Sequence, residues 1–283
     1  MHSADHALLE QLSENSRRYR DPVAAIDWAQ LDGGSFWLPE PALSLYGLPE
    51  YEVLAQDVRR RLSQYEFIHV MHAGLWLERV FMQRMSQRLA PQLPPAAYEY
   101  FLHEMREEAG HSLMFLRAIK ASGLEVPAEC WRAPRFVDWL ARKAPATGAL
   151  FWAATVIAED VADKFNRYLK GCDGINPAVR EICTVHCIDE ARHIAAARVQ
   201  LETALLRLPR VAVRALNPLV RLLFRQYAGL YYTPVVRFYE LAGLTHGDSW
   251  RRLAQRNPAR SAFVRERLAP TVRMLEAYGF RLQ

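Results

Sequence analysis

The feature that most constrains this chain is a four-residue pattern that occurs twice, as Glu108-Ala109-Gly110-His111 and as Glu190-Ala191-Arg192-His193. Residues three apart on a helix share a face, so each copy can present a carboxylate and an imidazole to one metal ion. With nine histidines in 283 residues, a given glutamate meets a histidine three places on about one time in thirty, and a single copy means little. Two copies on separate long helices mean more. Completed by one inward glutamate from each of two other helices, they build the two-metal carboxylate site of a four-helix bundle.

The chain supplies the helices. Residues 1 to about 50 carry Asp21-Pro22, Gly33-Gly34, Pro39, Pro41 and Gly47, too much punctuation for a long helix, and read as an extended arm anchored by Trp28 and Trp37. Helix formers with apolar residues at three and four then run from Tyr51 to Leu89. A second helix is expected from about Pro95 to Ser122, stopped at Gly123. A short piece follows at Arg135 to Arg142, then a third long helix from Ala149 to Lys170 and a fourth from Pro177 to about Leu206. Beyond Pro209 further helices are expected at roughly 210–243, broken near Pro218 or Pro234, and at 247–256 and 259–277. No sustained alternation of period two and no tandem repeat occurs. The expected fold is all-α: a ferritin-like four-helix bundle at about 51–208, with an N-terminal arm at 1–50 and additional C-terminal helices at 209–283, in one domain.

Two further glutamates sit where a core residue belongs. Glu78 has Met71, Leu75, Phe81, Met82 and Met85 on its face, and Glu159 has Trp152, Thr155, Val156 and Ala162. A buried, unpaired carboxylate is costly, and a metal or a paired cation is the usual remedy. Each alone reads equally well as a solvated or salt-bridged acid; beside the paired motifs, both read as ligands. His186, four before Glu190, shares the face of Glu190 and His193 and offers a third imidazole, its alternative being a hydrogen-bonded core histidine. Glu104 stands at the matching place before Glu108, hinting at an internal twofold relation, and reads as a supporting or surface residue. Asp189 and Arg192 flank Glu190 and are placed to orient the ligands. His69, His72 and His103 read as structural.

Composition narrows the rest. A content of 51% hydrophobic residues can fill a substantial core. The most apolar stretch, 220–239, is broken by Arg221, Arg225 and Arg237, so no membrane span is expected, and the start lacks the pattern of a signal peptide, which favours the cytoplasm. Cys130, Cys172, Cys183 and Cys187 have neither zinc-knuckle nor redox spacing and read as free thiols. A net charge of +5 and a pI of about 9.1 would suit an acidic substrate, an acidic electron donor or nucleic acid, or describe no more than solvated helix faces.

At these residues the sequence resembles the p-aminobenzoate N-oxygenase family of di-iron oxygenases. The matching stretches are Gly74-Leu75-Trp76-Leu77-Glu78 with Met82-Gln83, His103 through His111 with Met114-Phe115, and Asp189 through His193 preceded by His186; Ile26-Asp27-Trp28, Trp37 and Leu45-Tyr46-Gly47 match the family's entry segment. The similarity spans roughly 21–205. Gly110 departs from the arginine that di-iron helices often carry there. The resemblance implies a metal set of Glu78, Glu108, His111, Glu159, His186, Glu190 and His193, with the third histidine as the family's mark. It further implies two iron ions that activate O2 and an arylamine oxidised through hydroxylamine towards nitroso or nitro; at such a site Glu159 or Glu190 is the carboxylate expected to shift its binding mode as the metals change charge. No dinucleotide fingerprint is present, so electrons must come from a ferredoxin or flavin reductase. Expected partners are that donor and the small amine, with no membrane or nucleic acid, and a homodimer is compatible. The same site would serve a C-hydroxylase or desaturase. Ferroxidase and iron storage fit the extra helices poorly, and an RNA-modifying hydroxylase has only the basic pI behind it. The donor set suits manganese as well as iron.

Overall fold

The structure, a computed structural model, describes residues 3–143, 145–146 and 148–282. Every regular element among them is helical: α1 (Ser3–Ser16), α2 (Pro49–Glu52), α3 (Gln56–Ser86), α4 (Pro95–Ala121), α5 (Arg135–Lys143), α6 (Ala149–Lys170), α7 (Pro177–Leu206), α8 (Arg210–Tyr232), α9 (Val236–Leu241), α10 (Gly247–Arg256) and α11 (Pro258–Ala277), with 3-10 turns at Trp28–Gln30 and Glu40–Ala42. The four long helices expected from the sequence are α3, α4, α6 and α7. They pack as two hairpins, α3 on α4 and α6 on α7, with α4 against α7 and α3 against α6 closing the bundle.

Local chemistry fixes their ends. Pro177 opens α7 behind Asn176, whose side chain accepts from the Ala178 and Val179 amides, and Asn257 does the same for α11. Both caps also tie down the N-terminal segment. Asn176 Nδ2 donates to Gln30 O at 2.7 Å, and Asn257 Nδ2 donates to Ser44 O at 3.0 Å and Tyr46 O at 2.9 Å. Trp37, fully buried, donates to Asp32 O and meets Phe67 edge-on at 5.9 Å. Trp28 is half-buried and donates to Val23 O. Both tryptophans therefore anchor the segment as their sequence context suggested.

One expectation needs correction. The arm is not extended at its start: α1 forms before the first proline, buries Leu9 and Leu12, and packs on α4 and α7. Its Gly and Pro punctuation begins only at Asp21-Pro22, and residues 3–16 carry none. In the C-terminal part the break falls at the second of the two expected prolines: α8 continues through Pro218 and ends ahead of Pro234, where Thr233 is extended at ψ 104°. The residue before a proline is disfavoured in the helical region; Pro218, the ninth residue of α8, lacks the N–H that would bond to Arg214 O, yet the helix continues past it.

The C-terminal helices close one side of the bundle. α8 lies on α6 and α3, α9 on α3, and α11 on α6. Arg260, buried, fastens this layer by donating to Tyr232 O and Ala42 O. No described helix is long and apolar enough to cross a membrane.

Candidate metal centre

Side chains from α3, α4, α6 and α7 converge at the middle of the bundle. Glu78, Glu108, His111, Glu159, His186, Glu190 and His193 are all buried. Ligand atoms of Glu108, His111, Glu190 and His193 lie within 4.8 Å of one another, as do those of Glu78, His111 and His186. His111 belongs to both groups, so they form one centre. Glu190 Oε1 stands 3.0 Å from His186 Nε2 and 3.6 Å from the Nδ1 atoms of His111 and His193. Glu108 turns one oxygen to each of two imidazoles, Oε2 to His111 Nδ1 and Oε1 to His193 Nδ1, both at 3.0 Å. Glu159 lies outside both tight groups, but the charges of Glu190, Glu108 and Glu78 act on it.

The outward nitrogens are held as well. His111 Nε2 donates to Asp189 Oδ2 at 3.1 Å, and His193 Nε2 donates to Glu107 Oε2 at 2.9 Å. The arrangement is reciprocal, because the acid just before each motif's glutamate receives the imidazole of the opposite helix. Arg192 Nη2 joins the two acids, donating to Glu107 Oε1 and Asp189 Oδ1. His186 Nδ1 meets the Asn166 carboxamide at 2.6 Å, a group that can donate or accept by a half-turn. Pinning the outer nitrogen leaves the inner one aimed at the centre.

Asp189 and Arg192 thus stand where the sequence put them, whereas Glu107 and Asn166 were missed. The signal for Glu107 was present as an acid directly before each paired motif, Glu107-Glu108 and Asp189-Glu190. Nothing local marked Asn166, which reaches His186 only because α6 and α7 pack together. Glu104 is buried rather than at the surface. Burial, joined by the charges of Glu108, Glu107 and Glu190, outweighs His193 and pushes its carboxyl well above the usual range. His69 donates to Leu230 O and accepts from Trp131, and His72 stacks on Trp131, so both are structural as read.

The residues fit a pair of divalent cations. Glu108 Oε1, Glu190 Oε1 and Oε2, His186 Nε2 and His193 Nδ1 are buried without a hydrogen-bond partner. Buried polar atoms are rarely left so. The close nitrogen–oxygen contacts among them lack hydrogen-bond alignment, as expected of lone pairs aimed at a common point. Four carboxylates in one dry volume would also repel strongly, and two doubly charged cations offset four negative charges. Electrostatics shows that need. Burial, then the Glu108 charge, pushes Glu78 up to about 8. Burial followed by its three acidic neighbours raises Glu159 well above the usual range. Burial opposes ionisation of Glu108 and Glu190 too, but the imidazoles outweigh it, holding Glu108 at about 2 and Glu190 well below its ordinary value.

Gly110 explains its own departure. A Cβ there would lie 2.5 Å from Tyr19 Oη and 3.0 Å from Pro22 Cγ, so the N-terminal segment occupies the place of a side chain. Tyr19 is held by the Arg106 guanidinium, 4.5 Å over its ring. Gly110→Arg is therefore expected to displace residues 17–22 and cost about 1–3 kcal/mol. Thermal unfolding and limited proteolysis would read this out; an unchanged Tm with no new cleavage around Tyr19 would show that the segment yields freely.

An apolar slot between α3, α5, α6 and α8 reaches the centre, with Glu159 in its wall beside Phe81, Phe151, Ala154, Leu223 and Tyr227. Its cavity volume is about 40 Å³, so it is narrow.

Comparisons with known proteins agree with this geometry. Rv0885 of Mycobacterium tuberculosis and Mb0909 of Mycobacterium bovis, both uncharacterised, are each 26% identical over 246 residues, covering 82% of this chain and 71% of theirs. Among solved structures, two single-substitution variants of an R2-like ligand-binding oxidase with an aerobically reconstituted Mn/Fe cofactor share the fold. One has a TM-score of 0.55 at 16% identity, covering 97% of this chain and 94% of that one. The other has a TM-score of 0.54 at 15% identity, with 92% of each covered. The family model of p-aminobenzoate N-oxygenase AurF matches residues 2–279. The chain belongs to the p-aminobenzoate N-oxygenase AurF family and is a non-haem dimetal oxidoreductase.

Proposed function

We propose that this protein is an O2-dependent N-oxygenase that binds two iron ions through Glu78, Glu108, His111, Glu159, His186, Glu190 and His193, and oxidises a small arylamine. The observation that carries the reading is the set of buried carboxylate and imidazole atoms that face one another without hydrogen bonds. When bound, the ions supply the one-electron steps by which O2 is reduced.

The protein's own residues do the rest. Glu107, Asp189 and Asn166 fix the ring planes of His193, His111 and His186. Both oxygens of Glu190 are free of hydrogen bonds, so its carboxylate can change binding mode as charge at the centre changes. The slot at Glu159 presents an apolar, partly aromatic wall, and at about 40 Å³ it must widen to take a ring. Two external electrons are needed per reduction of the metal pair, and a ferredoxin or flavin reductase is the proposed donor.

The test is elemental analysis of the purified protein, then anaerobic iron(II) loading and exposure to O2 with a panel of arylamines. About two irons per chain and hydroxylamine, nitroso or nitro products are expected. A folded protein that binds fewer than two metals overturns the site. Ring-hydroxylated products would replace N-oxygenation with carbon hydroxylation.

A further inference from the structure

We propose that the slot at Glu159 selects a neutral arylamine whose ring carries no carboxylate, so that this chain discriminates against p-aminobenzoate itself. The inference rests on the reading of Glu159 as part of the metal centre and of the slot as the substrate's way in.

Among the described residues, no lysine, arginine or histidine stands in the slot's wall. Three arginines of α3 and α5 are engaged elsewhere. Arg79 and Arg142 pair with Asp138 at 3.1 and 2.6 Å. Arg84 lies 5.6 Å over the Phe151 ring and donates to Gln87 Oε1 and Arg142 O. A carboxylate entering here would lose its water and gain no counter-charge, with Glu159 ahead of it as a further acid. Thr155 supplies no free donor, because its hydroxyl donates to Phe151 O at 3.1 Å.

The wall suits a neutral ring in its chemistry, and the slot, at about 40 Å³, must widen to take one. Phe81, Phe151 and Tyr227 line it with Ala154 and, from α8, Leu223, so an entering ring meets aromatic and aliphatic carbon. An anilinic nitrogen is uncharged near neutral pH and keeps its lone pair, so it enters without the desolvation cost that an alkylammonium would carry.

Calorimetric titration of the full chain with 4-ethylaniline and with 4-aminobenzoate, molecules of similar length, tests this. Both the metal-free and the anaerobic iron(II)-loaded protein are used. 4-Ethylaniline is expected to bind about a hundredfold more tightly in each state, the carboxylate's unpaired burial setting the gap. Leu223→Arg is expected to shrink the gap below about tenfold by improving binding of 4-aminobenzoate. Equal or tighter binding of 4-aminobenzoate by the wild type overturns the proposal, as does no measurable binding of either amine. An unchanged gap in a Leu223→Arg protein of native circular dichroism also overturns it; if that variant misfolds, the wild-type comparison decides alone. A neutral preference without oxidation after iron and O2 would sink the N-oxygenase reading and leave the slot's selectivity standing.

Discussion

Replacing Glu190 with alanine is expected to abolish binding of the metal pair and to lower amine oxidation by about a thousandfold or more. Glu190 Oε1 lies 3.0 to 3.6 Å from all three imidazoles of the centre, and neither of its oxygens has a hydrogen-bond partner. No other acid among the described residues pairs with all three. Without it, His186 and His193 lose their nearest shared anion, and the remaining acids cannot balance two cations from one side. Metal content and turnover measured together separate this from simple misfolding, with circular dichroism as the check on the helices. Glu202→Ala serves as the control, since Glu202 sits on the same helix but accepts from Tyr278 at the surface. A Glu190→Ala protein that keeps two metals per chain and its activity would show that the centre has been assigned to the wrong carboxylates.

The same residue shows what a sequence carries and what it withholds. Glu108, His111, Glu190 and His193 were legible because their spacing is a local property of one helix, fixed by its periodicity. Glu78 and Glu159 were legible because an acid on an apolar face is a conflict that the sequence itself displays. Glu107 and Asn166 were not found, since their roles depend on how two helices are rotated against each other, which no single helix records. Arg192 lay in the middle ground: its nearness to Glu190 was visible, but its bridge between Glu107 and Asp189 needed the packing of α4 on α7. The N-terminal helix was hidden for a different reason. The Gly and Pro signals downstream at Asp21-Pro22 masked a stretch at 3–16 free of both, which packing on α4 and α7 then stabilises as a helix. Gly110 shows the reverse case, a departure visible in the sequence whose cause, the Tyr19 and Pro22 contact, is entirely tertiary.

Metal-free protein is expected to be most stable near pH 5 and to lose stability as pH rises to about 10, whereas the metal-loaded protein holds its stability across that window. Glu78, raised to about 8 by burial and then by the charge of Glu108, keeps its proton in the fold. The unfolded chain releases that proton near 4.3, so stability falls between roughly pH 4 and 8. Burial and the neighbouring His186 oppose the charged form of His111, but its hydrogen bonds to Asp189 and Glu108 outweigh them and hold it at about 9. His186 reaches about 10 because Glu190 and Glu78 outweigh its burial. Raised histidines contribute stability that is complete below about pH 6.5 and is lost as pH climbs through 9 and 10. Glu108, held at about 2, acts oppositely: its contribution is present above about pH 4.3 and fades as pH falls towards 2. Together these set the metal-free maximum on the acid side of neutrality. Divalent cations need the ligands deprotonated, so binding must expel protons from Glu78, His111 and His186. Each proton expelled raises the apparent affinity about tenfold per pH unit, and two to three at once give about a hundredfold or more between pH 6 and 7. Calorimetric titrations with anaerobic iron(II) in buffers of different ionisation enthalpy count those protons, and thermal unfolding from pH 4 to 10 with and without metal traces the two stability profiles. Parallel profiles with no proton released would mean that the cation binds away from these imidazoles.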